Sequence, residues 1–207
     1  METFMVLTKL RKAWQKYSFS RMSFDDAREV LVQWVENARK TETPICCAKL
    51  EKMGFAYIDR GFHASTFKSA CGRFVLKVNF TYDEAYRRFI DLALNRQDNP
   101  HYPRIYYSHQ SPEFQAVLME PLRPMRADLP QWQEAKYLQE QVCFGIMPRN
   151  PEGSAHFTQL VWDMWSLFSQ DAVREDLSGR NIMVRHQAGS MQLVVTDPVC
   201  SGVSSSW

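Results

Sequence analysis

The sequence predicts an α+β fold: a small antiparallel sheet interrupted by one helix, then a mostly helical region that closes on a hairpin. Three observations carry this. The run "FAYIDRGFHASTFKSACGRFVLKVNF", from Phe55 to Phe80, reads as strand, turn at Gly61, strand, turn at Cys71-Gly72, strand. Residues 82–97 then switch to helical spacing, with Tyr82, Ala85, Tyr86, Phe89, Ile90 and Ala93 on one face. Residues 154–171 carry a second apolar stripe, Phe157, Leu160, Val161, Met164, Trp165 and Phe168.

The bulk numbers agree with a globular chain. The 207 residues are 45% hydrophobic and 23% charged, enough for one large domain or two lobes with a core. The formal net charge is +2 and no long basic run appears, so no nucleic-acid surface is indicated. The five cysteines, at 46, 47, 71, 143 and 200, form no C-x-x-C pair, which argues against a zinc site or a disulfide framework and for reduced thiols in a cytoplasm. "METFMVLTKLRKAWQ" has charges after its brief apolar patch, so a secretory signal is not expected. No run approaches 18 uncharged apolar residues, so no membrane partner is expected.

In order, residues 1–53 read as a helical extension. Phe4, Leu7, Leu10 and Trp14 recur at helical spacing, as do Leu31, Trp34 and Val35. Ser23, ahead of Asp25 and Asp26, is an expected N-cap. Thr43-Pro44 starts another helix, with Gly54 as its C′ residue. Residues 54–122 make the small lobe: the three-stranded meander, the helix, and two further strands in "IYYSHQSPEFQAVLMEPL" around Ser111-Pro112. Pro121 and Pro124 mark a linker. Residues 123–207 hold helices over 128–147 and 154–171, a strand at Ile182–Val184, a turn at Ala188-Gly189, a strand "MQLVVTD" and a Ser-rich tail.

Four stretches carry chemistry. The turn "DRGFHASTF", with Gly61 and Ser65, offers backbone N–H groups and small residues that admit a phosphate. "FVLKV" places Lys77 on the same strand face as Val75 and Asn79, where an ammonium could bind phosphates and pair with a helix carboxylate, Glu84 or Asp91. "AVLMEPL" ends an apolar strand at Glu120 and runs into the linker at Leu122, where backbone groups could hydrogen-bond an adenine ring. "VREDLSGRNIMVRH" puts Asp176 five residues before Asn181, and "VVTDP" puts Asp197 at the end of the following hairpin. Asn181 and Asp197 supply the oxygen ligands that Mg²⁺ prefers, and Asp176 is then the group that receives or orients an attacking hydroxyl.

These residues give a resemblance. The chain resembles a diverged protein kinase, and more narrowly the early serine/threonine protein kinases of short-tailed bacteriophages. The matching stretches are Gly54-Phe55, "GFHAS" at 61–65, "VLKV" at 75–78, "EAYRRF" at 84–89, "DLSGRNIMV" at 176–184 and "TDPVCS" at 196–201. Together they span roughly residues 50–201. The resemblance implies a two-lobe fold with ATP and Mg²⁺ as cofactors. It assigns Lys77 to the α- and β-phosphates, Glu84 to the lysine's helix partner, Asp176 to the catalytic loop, and Asn181 and Asp197 to the metal.

The departures are specific. The H-R-D motif reads Arg174-Glu175-Asp176, D-F-G reads Asp197-Pro198-Val199, and the Gly-rich loop keeps one glycine. Ten residues follow Asp197, so a truncated large lobe is expected. The resemblance implies phosphorylation of host bacterial proteins in the host cytoplasm, and of the chain itself. Two other readings stay open: a pseudokinase-like protein that binds and inhibits a host protein, and a small-molecule phosphotransferase.

Overall fold

The computed structural model describes residues 55–60, 64–79, 82–112, 115–143, 154–170, 173–187 and 189–201, together with Ser23, Asp25, Asp26, Glu29, Val32 and Leu50. Most of the expected helical extension, including the stripes around Trp14 and Trp34 and the Thr43-Pro44 start, lies outside these residues. The cap at Ser23 is observed: its Oγ accepts the Asp26 N–H at 3.1 Å and donates to Asp26 Oδ2 at 2.7 Å. Phe55 N–H donates to Leu50 O at 3.0 Å. Gly54, the expected C′ residue, lies outside the described residues.

The chain is α+β and divides into two compact units. The first takes residues up to Tyr82 together with Ile105–Pro121, and the second takes Asp83–Arg104 and the residues from Leu122 onward.

The first unit is built on an antiparallel sheet. Its strands are β1 (Ala56–Arg60), β2 (Ala64–Lys68), β3 (Val75–Asn79), β4 (Ile105–Gln110) and β5 (Gln115–Met119), in the order β1-β2-β3-β5-β4. The turn between β2 and β3 is the expected one. Gly72 takes φ 71°, where a side chain would be strained, and its N–H donates to Ser69 O at 2.9 Å. Phe67, Leu76, Val78 and Leu118 are buried, and β5 is buried along its whole length, as its unbroken apolar run requires.

The second unit begins with α1 (Glu84–Leu94), followed by β6 (Arg123–Pro124), α2 (Gln131–Cys143), α3 (Ala155–Phe168), β7 (Val173–Glu175), β8 (Ile182–Gln187), β9 (Ser190–Val195) and β10 (Val199–Ser201). Strands β6, β8 and β9 form one antiparallel sheet, and β7 pairs with β10. The expected boundary put α1 in the small lobe, whereas its contacts group it with the second unit. The physical reason is its buried face: Phe89 stacks on Tyr102 with centroids 6.3 Å apart, and α1 lies against β10. Helix α1 also starts two residues later than expected. Asp83 is its N-cap, accepting the Tyr86 N–H at 3.0 Å, which leaves Tyr82 outside the helix and exposed. Among the described residues, no helix is long and apolar enough to cross a membrane.

His101 fixes the segment after α1 to the β8–β9 hairpin. Its ring is 2% exposed, Nδ1 lies 3.0 Å from Leu193 O, and its backbone carbonyl accepts the Val195 N–H at 3.0 Å. Leu193 O can only accept, so Nδ1 carries the proton and Nε2 accepts from Gln192 Nε2 at 3.2 Å. Burial, above all, lowers the imidazole pKa to about 4. The unfolded chain therefore takes up a proton here that the folded chain refuses. Stability is fully present above pH 6.5 and falls toward pH 4, by about 1.4 kcal/mol per pH unit and roughly 3 kcal/mol in all. Urea midpoints of the native chain and of His101→Gln, compared from pH 4 to pH 7, should converge as the pH falls. Parallel curves would contradict the buried neutral ring.

Candidate functional site

Hydrogen bonds hold the loop that carries Asp176, Gly179 and Asn181. In the β8–β9 hairpin Ile182 faces Val195, so Asn181 and Thr196 meet one step beyond the ladder. Thr196 donates twice to Asn181 O, from its N–H at 2.8 Å and from Oγ1 at 3.0 Å. Asp197 is the next residue, so the hairpin brings the metal pair expected from sequence, Asn181 and Asp197, to one end.

Asp176 joins them by two routes. Its N–H donates to Pro198 O at 2.6 Å, and its carbonyl accepts Asn181 Nδ2 at 2.8 Å. The β7–β10 ladder, with Val199 opposite Glu175 and Cys200 opposite Arg174, runs directly up to this junction. Between the two ends, Leu177 is buried, the Gln139 amide donates to Leu177 O, and Asn181 N–H closes a turn on Ser178 O at 2.9 Å. The backbone of the loop is thus held from α2, β8 and β10, while the Asp176 side chain is exposed and Asn181 and Asp197 are half-buried. Gly179 is not required for a close approach, since a Cβ there would meet nothing within 4 Å.

Three carboxylates set the local field. Burial first, then Asp176 and Asp83, push the Cys200 thiol up, so it stays protonated at neutral pH. Burial, then Asp197 and Asp83, hold the Tyr86 phenol well above its ordinary value. The same charges favour a cation in this part of the unit.

Oxygens are the ligands that a hard cation such as Mg²⁺ would find here. Asn181 spends its Nδ2 on the Asp176 carbonyl, which turns its Oδ1 the other way, and Asp197 contributes a carboxylate. Among the described residues, no cluster of three or more His, Cys, Asp or Glu could hold a metal ion. Asn181 and Asp197 are the residues that would hold such an ion, with water supplying further ligands.

In the first unit Lys77 lies on β3, opposite Thr66 of β2 and Val117 of β5. Directly paired residues share a face, so Lys77 lies with Thr66 and Val117, and alternation puts Val75 and Asn79 on that face too. Ser65, expected beside the phosphates, lies on β2. It pairs with Val78, is 1% exposed, and belongs to the opposite, core face. It shares that face with Phe67, two residues further along the strand. Gly61 lies outside the described residues. Glu120, at the end of β5, is buried, and Leu122, half-buried, opens the second unit.

Glu84 and Asp91, the expected lysine partners, both engage arginines of their own helix. Glu84 Oε1 lies 2.8 Å from Arg87 and 3.0 Å from Arg88, and Asp91 lies 2.6 Å from Arg87. The i,i+3 and i,i+4 spacings in "EAYRRFID" carry that signal in sequence. The reading of the sequence also missed Asp83 and Gln139. An Asp directly before the α1 stripe was a legible cap, whereas Gln139 reaches the loop only through the packing of α2.

Compared with known proteins, the chain matches no protein-family model and no curated protein sequence.

Proposed function

We propose that the chain is an ATP- and Mg²⁺-dependent phosphotransferase with a diverged protein-kinase-like fold, of the bacteriophage serine/threonine type, acting on hydroxyls of host bacterial proteins. One observation carries the reading: Asp176, Asn181 and Asp197 are gathered by the β8–β9 hairpin and the Asp176–Pro198 bond. An aspartate and an asparagine five residues apart, followed by an aspartate after a hairpin, is the set that the resemblance to protein kinases assigns to phosphoryl transfer.

The roles follow from the chemistry. A bound Mg²⁺ neutralises charge that develops on the phosphate oxygens. Asn181 and Asp197 would offer it oxygen ligands, and the resemblance to protein kinases assigns Lys77, in the first unit, to the α- and β-phosphates. Asp176, exposed on a backbone pinned at both sides, accepts a hydrogen bond from the attacking hydroxyl. The new O–P bond forms as the bond from the γ-phosphorus to the β,γ-bridging oxygen breaks, and the hydroxyl proton leaves toward Asp176 or solvent.

Equilibrium binding of Mg-ATP tests the first half of this reading. The native chain should bind it in a Mg²⁺-dependent way, and Lys77→Met should weaken binding by about tenfold or more, the loss of one charge-assisted phosphate contact. Binding that is absent, or indifferent to both Mg²⁺ and Lys77, would remove the nucleotide from the account.

A further inference from the structure

Asp197 hangs between two anchors, and only one of them belongs to the hairpin. On its N-terminal side Thr196 is bonded twice to Asn181 O, at 2.8 and 3.0 Å. On its C-terminal side come Pro198 and then β10, three residues paired only with the three residues of β7. A two-stranded ladder of that length is marginal in isolation. Its far end is tied elsewhere: Ser201 Oγ donates to Asp83 Oδ1 at 2.6 Å and accepts the Ala85 N–H at 3.3 Å. Asp83 is 8% exposed, and the same Oδ1 caps α1 through the Tyr86 N–H at 3.0 Å.

We propose that Ser201 and Asp83 are positioning residues for Asp197: the Ser201 hydroxyl latches β10, the strand that follows Asp197, onto the start of α1. The role assigned to Asp197 rests on the phosphotransferase reading above, but the latch itself does not. Ser201 satisfies two groups at once, a helix N–H that has no partner within the helix and a buried carboxylate oxygen. A hydroxyl alone can donate to one and accept from the other at a single atom, so threonine is the only conservative replacement. The electrostatics agree with the geometry, since Asp83 and Asp197 both act on Tyr86. Because Val199 and Cys200 also face Glu175 and Arg174, release of Ser201 loosens the approach to Asp176 as well.

The test is hydrogen exchange of the full chain, read over peptides covering 83–90 and 196–201, in the native protein, Ser201→Ala and Ser201→Thr. Losing the hydrogen bonds of one hydroxyl should speed exchange in both peptides by about tenfold in Ser201→Ala, with native rates kept in Ser201→Thr. In the same variants, the Mg²⁺ concentration for half-maximal phosphate transfer should rise in Ser201→Ala and be restored in Ser201→Thr. A merely structural loss would lower the amount of active protein without moving that concentration. Faster exchange at 83–90 alone would mean that Ser201 only caps the helix, and would overturn the proposal, as would unchanged exchange in both peptides. If the native chain transfers no phosphate while both peptides respond, the latch stands and the phosphotransferase reading falls.

Discussion

Asp163→Ala should lower the stability of the chain by about 3 kcal/mol, a larger loss than other single side-chain truncations in the second unit outside its apolar core. Asp163 is a carboxylate inside the apolar stripe of α3, only 9% exposed. Four bonds compensate its burial. Arg96 grips both oxygens, at 2.8 and 3.1 Å, Tyr102 Oη donates at 2.9 Å, and Gln159 Nε2 at 2.8 Å. Removing the acid leaves the Tyr102 hydroxyl buried without its acceptor and an arginine without its partner. The consequences extend beyond α3, since Tyr102 stacks on Phe89 and its carbonyl accepts from the buried Arg185 at 2.8 Å. Asp163→Asn keeps the shape and should lose less. Urea denaturation measures both, and a loss under about 1 kcal/mol in the alanine variant would show that the network contributes little.

Asp197→Ala should lower phosphate transfer by a factor on the order of a thousand while leaving the urea midpoint close to native. The backbone that seats this residue is held by Thr196 and Pro198 through bonds that a side-chain truncation does not touch. Asp197 is half-buried and does not belong to the apolar core. The effect should therefore be on chemistry and on metal dependence. A variant that unfolds, or that transfers at the native rate, would each contradict the role given to Asp197.

Much of the architecture was legible because it rests on local patterns. The α1 stripe from Ala85 to Ala93 and the α3 stripe from Phe157 to Met164 are buried where helical periodicity puts them. The turns at Gly72 and Gly189 take the positive φ that only glycine adopts freely. The hairpin joining Asn181 to Asp197 followed from two apolar runs around a glycine turn. What was not legible depends on long-range pairing. Strands β7 and β10 are three residues each, and their partners lie about two dozen positions apart, so neither the mixed "VRE" nor "VCS" announces a strand. The allegiance of α1 was hidden in a stacking partner, Tyr102, beyond the end of the helix. In the candidate site, the residues with chemistry were visible as a spacing, while those that hold them, Gln139, Asp83 and Ser201, were not visible as holders.

The measurement that tests the central claim most directly is transfer of labelled γ-phosphate from Mg-ATP by the purified full chain, alone and with bacterial lysate, beside Asp176→Ala. The account predicts acid-stable label on serine or threonine, on the chain or on lysate proteins, that depends on Mg²⁺ and disappears in the variant. A native chain that is folded and binds Mg-ATP but labels nothing, or a variant that labels as well as the native chain, would contradict it.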